Sequence, residues 1–236
     1  MRRSAAAFAG VLLTARYMIA YLVNYYANIS RALFGHVEIL LLTLFFAIPI
    51  SALVTCLIYR HRVLIAPALV VLEIFYAVPS LAFFAVLIPF TGLGTGTAVI
   101  VLVSYSLFFL VRNFLGGLED IDPLLKEAGM AMGCSPFEVF RKIELPLAMP
   151  AFIAGVRMAS VSTIGIACVA YAIGAGGIGT ILFEGMRQLL YVKIIWGAIL
   201  AILLSVAVNN ALLALERYFA RRADPGAQAR GGGEPA

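Results

Sequence analysis

The chain has 236 residues, 63% of them hydrophobic and only 12% charged, with a formal net charge of +5. A soluble domain carries about 25% charged residues, so this chain could not cover a globule with polar surface, and the lipid bilayer is its expected solvent. The positive excess sits in loops and at the ends of apolar runs, which is a membrane-topology pattern rather than a nucleic-acid footprint.

Residues 1–35 are ambiguous. Ala5–Tyr26 is apolar but interrupted by Arg16, and an arginine at a span centre costs ~2.5–3.5 kcal/mol on insertion scales. Arg2 and Arg3 ahead of an apolar stretch also fit a signal peptide. The expectation is an uncleaved interfacial or marginally spanning helix, with a sixth span as the alternative. Five stretches then reach or approach the length of a span: Val37–Ile58 with Pro49 inside, Leu64–Phe90 with a kink at Pro79, the shorter Thr97–Val111, Leu147–Ile173, and Ile194–Leu215. His36 and His61 flank the first of these and are expected at the membrane interface. Residues 218–236 read as a disordered Gly/Ala/Pro-rich tail. Cys56, Cys134 and Cys168 are too scattered for a disulfide framework or a zinc site, and no metal is expected.

Lysine and arginine set the orientation. Arg60 and Arg62 follow the first span, Arg112, Lys126, Arg141 and Lys142 lie between the third and fourth, and Arg217, Arg221, Arg222 and Arg230 lie in the tail. The other side holds only Arg31, Arg187 and Lys193. The segment 122–146 and the C-terminus are therefore expected in the cytoplasm, and Thr91–Gly96 and Gly174–Lys193 outside.

The polar segment 122–146 carries explicit helix signals. Asp122-Pro123 is an N-cap followed by proline at the first helical position. Gly133 suits the left-handed residue that ends a helix. Ser135-Pro136-Phe137-Glu138 restarts one with a capping box. Phe137, Phe140 and Ile143 recur at helical spacing, and Leu145-Pro146 closes the unit. The reading is two short helices joined by a glycine turn, with an apolar face that rests on lipid headgroups or lies in a groove of another protein.

The order of residues in this segment resembles the coupling loop of ABC-transporter permeases. Glu127, Ala128, Gly133, Ile143, Leu145 and Pro146 match its Glu-Ala-Ala, glycine, Ile-x-Leu-Pro pattern in register, and Gly129 stands where the second alanine would be, one small residue for another. His36-Val-Glu-Ile, Val78-Pro-Ser-Leu-Ala, Arg112-Asn, Asp122-Pro, Ala154-Gly-Val-Arg157 and Gly174-Ala-Gly-Gly-Ile-Gly179 are similar to permeases for glycine betaine, choline and carnitine. The resemblance implies an all-α polytopic protein with a five-helix type I importer core over residues 36–217. It implies multi-pass insertion in the cytoplasmic (inner) membrane and a cytoplasmic C-terminus. It further implies a dimer of ABC ATPase subunits, a second permease subunit (identical or paralogous) and an extracytoplasmic substrate-binding protein. Coupling to the ATPase would fall on Glu127, Ala128, Gly129, Gly133, Ser135, Phe137, Phe140, Ile143, Leu145 and Pro146.

No Gly-Lys dipeptide occurs, so there is no P-loop; no cofactor is expected on this chain, and ATP and Mg would be bound by the partner ATPase. Gly174, Gly176 and Gly179 fit the spacing of a dinucleotide-binding loop but follow a span instead of a strand, so a close-packed outer turn is expected. Glu73 and Arg157 fall at similar depths, roughly 16 Å along their spans at 1.5 Å per residue, and an ion pair between them is expected. With them, Tyr76, Pro79, Ser80 and Tyr105 are candidates for the translocation pathway; Phe75, Phe108 and Tyr171 are further aromatics able to face a quaternary ammonium. The leading function is an importer permease for quaternary-amine osmoprotectants. The alternatives are an amino-acid or methionine-type permease, an intramembrane enzyme built on Glu73 and Arg157, and a purely structural subunit.

Overall fold

A computed structural model describes residues 2–223, with side chains described from residue 18 to 222 apart from Ile19. The element order is α1 (Arg2–Tyr59), α2 (Ile65–Ala77), α3 (Ser80–Thr91), α4 (Thr95–Glu119), α5 (Pro123–Ala131), α6 (Pro136–Val139), a π-helical turn (Phe140–Glu144), α7 (Leu145–Val169), a 3-10 turn (Ala170–Ile173), α8 (Gly179–Arg187) and α9 (Tyr191–Ala223). Among the described residues, four helical stretches are long and apolar enough to cross a membrane: Ala20–Tyr59, Thr95–Glu119, Pro136–Ile173 and Tyr191–Arg222. The bent pair Arg62–Ala77 and Ser80–Thr91 is apolar enough to count as a fifth where its two halves cross together.

Helix formation here follows from the solvent. A chain in hydrocarbon must satisfy its own backbone, and a helix does so within one segment. The expected kink at Pro79 is larger than a kink, because α2 and α3 meet at 92°. Pro79 has no N–H to donate, Val78 is driven to extended φ/ψ (−64°, 130°), and the helix restarts at Ser80. The third span is longer than the sequence suggested: α4 continues past Val111 through Arg112 and Asn113 to Glu119, and the Asn113 amide within it donates to the Phe109 carbonyl at 2.8 Å. The residues ahead of Val37 are continuous with the first span, with a kink at Tyr25 (φ −117°, ψ 19°). Ile29 and Ala32 there pack with Ile181 of α8, and the Trp196 indole donates to the Met18 carbonyl at 3.1 Å. The first residues of the tail expected to be disordered, 218–223, instead continue α9 as helix; the rest of that tail lies outside the described residues.

α4 is the central post. It buries Val101, Leu102, Tyr105, Leu110, Val111, Phe114 and Leu115 and packs chiefly on α7 and α1. Hydrocarbon gives helices no hydrophobic reason to associate, so close approach of small residues supplies dispersion energy in its place. A Cβ at Gly117 would lie 2.5 Å from Ala151 Cβ, and one at Gly155 would lie 2.8 Å from Asn113 Cβ. Two turns further along the same seam the buried Ser106 and Thr163 hydroxyls meet at 3.1 Å. Ser106 donates to the Leu102 carbonyl at 2.8 Å, so Thr163 is the donor to Ser106. In contrast α2 buries no residue and α3 only Phe84, while α9 buries Gly197 alone.

Gly117→Val overpacks the α4–α7 seam and should cost about 1–3 kcal/mol, the usual penalty of a forced extra side chain. The neighbouring Gly116 has nothing within 4 Å of its would-be Cβ. A thermal melt in detergent should therefore fall for Gly117→Val and stay at the parental value for Gly116→Ala.

Candidate functional site: the loop hairpin and the polar groups within the spans

The hairpin begins as the sequence predicts. Asp122 caps α5 by accepting from the Leu124 N–H at 2.9 Å. α5 ends in a Schellman motif: Cys134 N–H reaches the Gly129 carbonyl at 3.2 Å and Gly133 N–H the Met130 carbonyl at 2.9 Å. Gly133 takes φ 88°, which a side chain would resist. Ser135 then caps α6 with the full capping box: its Oγ accepts from Glu138 N–H at 3.3 Å, and Glu138 Oε2 accepts from Ser135 N–H at 3.0 Å. Lys142, 2.8 Å from Glu138, and the Ser135 bonds hold the water-facing Glu138 carboxyl down to about 2. A depressed carboxylate stabilises above its unfolded pKa and is lost only as pH falls toward the folded one, so the cap is intact at any physiological pH.

The second half of the hairpin is not a separate short helix. α6 runs through the π turn into α7, so Pro136–Ile173 forms one continuous helical rod. Leu145 N–H bonds to the Phe140 carbonyl across the wide turn. That insertion breaks the expected shared face of Phe137, Phe140 and Ile143. Phe137 is 68% exposed. Phe140 instead turns inward against the buried cluster of Leu118, Ile121 and Ala148. Ile143 is half-buried against α5, and Gly129 is more than a small stand-in, because a Cβ there would lie 2.6 Å from Ile143 Cδ1. An alanine would push that methyl aside. Leu145 is half-buried and Pro146 exposed at the start of α7. Glu127 and Ala128 are exposed on α5, and Glu127 has no ion pair or hydrogen bond among the described residues. The outward apolar surface is formed by Leu124, Leu125, Met130, Met132 and Phe137.

A polar cluster absent from the sequence reading fastens the hairpin to the spans. Glu144, only 8% exposed, sits in the π turn. Its Oε2 accepts from the Tyr59 hydroxyl at 3.2 Å, and Lys126 Nζ lies 3.6 Å from Oε1. Lys126 also donates to Tyr59 Oη at 2.7 Å and to the Leu118 carbonyl at 3.4 Å. The end of α1, the end of α4, the middle of α5 and the foot of α7 thus meet at one carboxylate. The Lys126 ammonium, 5.5 Å from the Tyr59 ring centroid, lies at the hydroxyl end, so this is a hydrogen bond rather than a cation–π contact. Its sequence signal was the lone charge Glu144 between Ile143 and Leu145, which needed a partner once that stretch was helical.

The expected Glu73–Arg157 pair does not form. Arg157 Nε bonds Glu216 Oε2 at 2.9 Å, and its Nη1 bonds Asn209 Oδ1 at 3.3 Å, both on α9. The reason is topological: α2, which carries Glu73, packs on α4, whereas α7 packs on α4 and α9. Glu73 is exposed, with no ion pair among the described residues. Comparable depth along two spans gave no information on which spans touch.

Tyr76, Pro79, Ser80 and Tyr105 do converge, at the α2–α3 break. The Tyr105 hydroxyl donates 2.6 Å to the Val78 carbonyl, an acceptor freed by the break. Tyr76 stacks on Phe108 with centroids 5.0 Å apart and meets Phe109 and Tyr105 edge-on. Arg112 stands 5.8 Å from the Phe108 ring centroid. Pro79 is exposed and Ser80 half-buried. Phe75 belongs to the same group through Phe83, whereas Tyr171 lies apart, stacked on Phe183.

Residues 47–225, most of the chain, match the family of binding-protein-dependent transport system inner membrane components. The chain belongs to this family. It is 32% identical over 196 residues to the osmoprotectant import permease protein OsmW of Salmonella typhimurium, a match spanning 81% of this chain and 91% of that one. It is 38% identical over 162 residues to the glycine betaine/carnitine/choline transport system permease protein OpuCD of Bacillus subtilis, covering 68% and 71% of the two chains. Its fold is shared with the inward-facing MetNI methionine ABC transporter at a TM-score of 0.73 and 23% identity, over 80% of this chain and 95% of that one. As a member of the family it is a multi-pass inner-membrane component of a binding-protein-dependent transport system, a transport subunit rather than an enzyme.

Two double-mutant experiments test the polar clusters. Lys126→Met and Glu144→Gln should each lower the detergent melting point by an amount equivalent to about 1–3 kcal/mol, below the figure for a fully buried pair because both groups retain some exposure. The double variant should lose less than the sum; strict additivity would mean the contact contributes nothing. Arg157→Glu and Glu216→Arg should each reduce transport and membrane accumulation, and the exchange of both should restore them. Glu73→Arg should fail to rescue Arg157→Glu.

Proposed function

We propose that this chain is the membrane-spanning subunit of an ATP-driven importer for small quaternary-amine osmoprotectants of the glycine betaine, choline and carnitine class. The observation carrying this reading is the combination of an outward apolar hairpin surface with a hairpin fastened to three spans through Glu144. A surface of Leu124, Leu125, Met130, Met132 and Phe137 exposes large apolar area next to the charges of Glu127 and Arg141, as suits a helix entering a groove of a soluble partner. The substrate class is carried by the likeness to OsmW and OpuCD.

In the proposed orientation the hairpin and C-terminus are cytoplasmic, and Thr91–Gly96 and Gly174–Lys193 face outward, as the distribution of lysine and arginine favours. The ATPase dimer binds ATP and Mg, and this chain supplies no cofactor site. Glu127, Ala128, Gly133, Ser135, Phe137 and Pro146 would lie at or shape the ATPase contact, while Gly129, Phe140, Ile143 and Leu145 hold the hairpin in position. Rotation of the ATPase subunits would drive the Pro136–Ile173 rod, and with it α4 and α9. A second permease subunit, a copy of this chain or a paralogue, would cover the exposed faces of α2, α3 and α9. The substrate route would then pass the α2–α3 break, where Tyr76 presents an aromatic face with Glu73 one turn earlier on the same helix. Both features attract a quaternary ammonium.

Phe137→Asp and Met132→Asp should abolish co-purification of the ATPase while the chain still reaches the membrane, and Glu127→Lys should uncouple hydrolysis from uptake. Full recovery of the ATPase with Phe137→Asp would refute the docking surface. In cells relying on this transporter, uptake of radiolabelled betaine, choline or carnitine should exceed uptake of methionine or other amino acids; the reverse order would refute the substrate class.

A further inference from the structure

His36, expected at the membrane interface, has no exposed surface at all. Its ring joins three segments. Nδ1 lies 3.2 Å from the Ile178 backbone N–H, and Nε2 lies 3.1 Å from the Ile164 carbonyl. An amide N–H can only donate, so Nδ1 must be the acceptor and the proton resides on Nε2, donating to Ile164. The imidazole is therefore neutral and held in one tautomer. The glycine turn is pressed directly onto it: a Cβ at Gly177 would lie 2.8 Å from Nδ1. On the far side of the turn a Cβ at Gly179 would collide with the Cys168 carbonyl. Cys168 Sγ in turn donates 3.5 Å to the same Ile164 carbonyl that His36 uses. The turn is also linked onward, since the Ile173 carbonyl just before it accepts from Gly94 N–H at 2.8 Å in the α3–α4 connection.

We propose that His36 is the positioning residue of the outer closure: by accepting from Ile178 it pins the Gly174–Gly179 turn to α1, while its bond to Ile164 pins α1 to α7. The turn has no other side-chain bond to α1 among the described residues, so its closed position depends on that one acceptor. When the ATPase-driven movement of α7 displaces Ile164, the ring moves with it and the turn is released. His36 thus transmits motion of the rod to the outer face without touching substrate. The orientation assumed is the one proposed above, and the experiment reads it separately.

The test uses the assembled transporter with Cys56→Ser and Cys134→Ser, leaving Cys168 as the thiol reporter beneath the turn. A membrane-impermeant maleimide is applied to intact cells and to inside-out vesicles, and ATP hydrolysis is measured without binding protein. Two substitutions separate the two bonds. Asparagine places an oxygen where Nδ1 was and keeps an acceptor for Ile178. Glutamine places its amide where Nε2 was and keeps the donor to Ile164 but offers Ile178 nothing. Cys168 labelling from outside and binding-protein-independent hydrolysis should stay near parental with His36→Asn. Both should rise roughly fivefold with His36→Gln, the scale of one net hydrogen bond, and at least as much with His36→Phe. Equal behaviour of the asparagine and glutamine variants would overturn the proposal, and this comparison decides the matter even if the phenylalanine variant fails to reach the membrane. A rise seen only in inside-out vesicles would keep the pin and reverse the orientation.

Discussion

A carboxylate removed from water must be met by a donor or a cation, and in this chain the carboxylate that matters most is Glu144. It lies where the loop hairpin becomes a span, and its partners come from elsewhere: Tyr59 at the end of the first span and Lys126 in the hairpin's first helix. The Leu118 carbonyl at the end of α4 joins through Lys126. Because all of these must converge on one group, the hairpin cannot tilt independently of the spans. The wide π turn that holds Glu144 begins at Phe140, which packs inward, so the same short stretch supplies both the polar anchor and the apolar one. Irregular helix of this kind is tolerated where protein, not lipid, surrounds it.

From that anchor the mechanical logic extends along the Pro136–Ile173 rod. Close glycine contacts hold the rod to α4, and the Arg157–Glu216 pair holds it to α9. His36 engages it near the opposite end through Ile164. Packed seams of this type shift as units rather than bending gradually. A displacement imposed at the hairpin therefore has a continuous solid path to the glycine turn.

Much of the architecture was legible because it follows from local rules. The spans announce themselves by apolar length, the break by Pro79, and the hairpin by Asp122, Gly133 and the Ser135–Glu138 box, each a side-chain or backbone rule acting within a few residues. What was not legible depended on which helices touch. Glu73 and Arg157 were matched by depth, but α4 stands between their helices, and the true partner of Arg157 is Glu216, one residue past the apolar stretch of the last span. His36 looked like an ordinary boundary residue because its two acceptor and donor partners lie far away in sequence. Phe140 was assigned to the same face as Phe137, but three residues of α-helix leave it about 60° round the axis, enough to turn it onto Leu118, Ile121 and Ala148. Gly129 looked interchangeable with alanine because the contact with Ile143 forms only once the hairpin folds back on itself.

The central claim is that the hairpin and the fourth span move as one body. The direct measurement is a spin-label distance between Ala131→Cys, exposed at the end of α5, and Val161→Cys on α7, with the native cysteines replaced by serine, in the assembled transporter with and without bound ATP. The account predicts a single narrow distance that nucleotide does not change, and that broadens when Glu144 is replaced by glutamine. A distance that shifts or broadens on ATP binding in the otherwise unaltered protein would contradict it, because the hairpin would then be a flexible linker instead of the foot of a rigid rod.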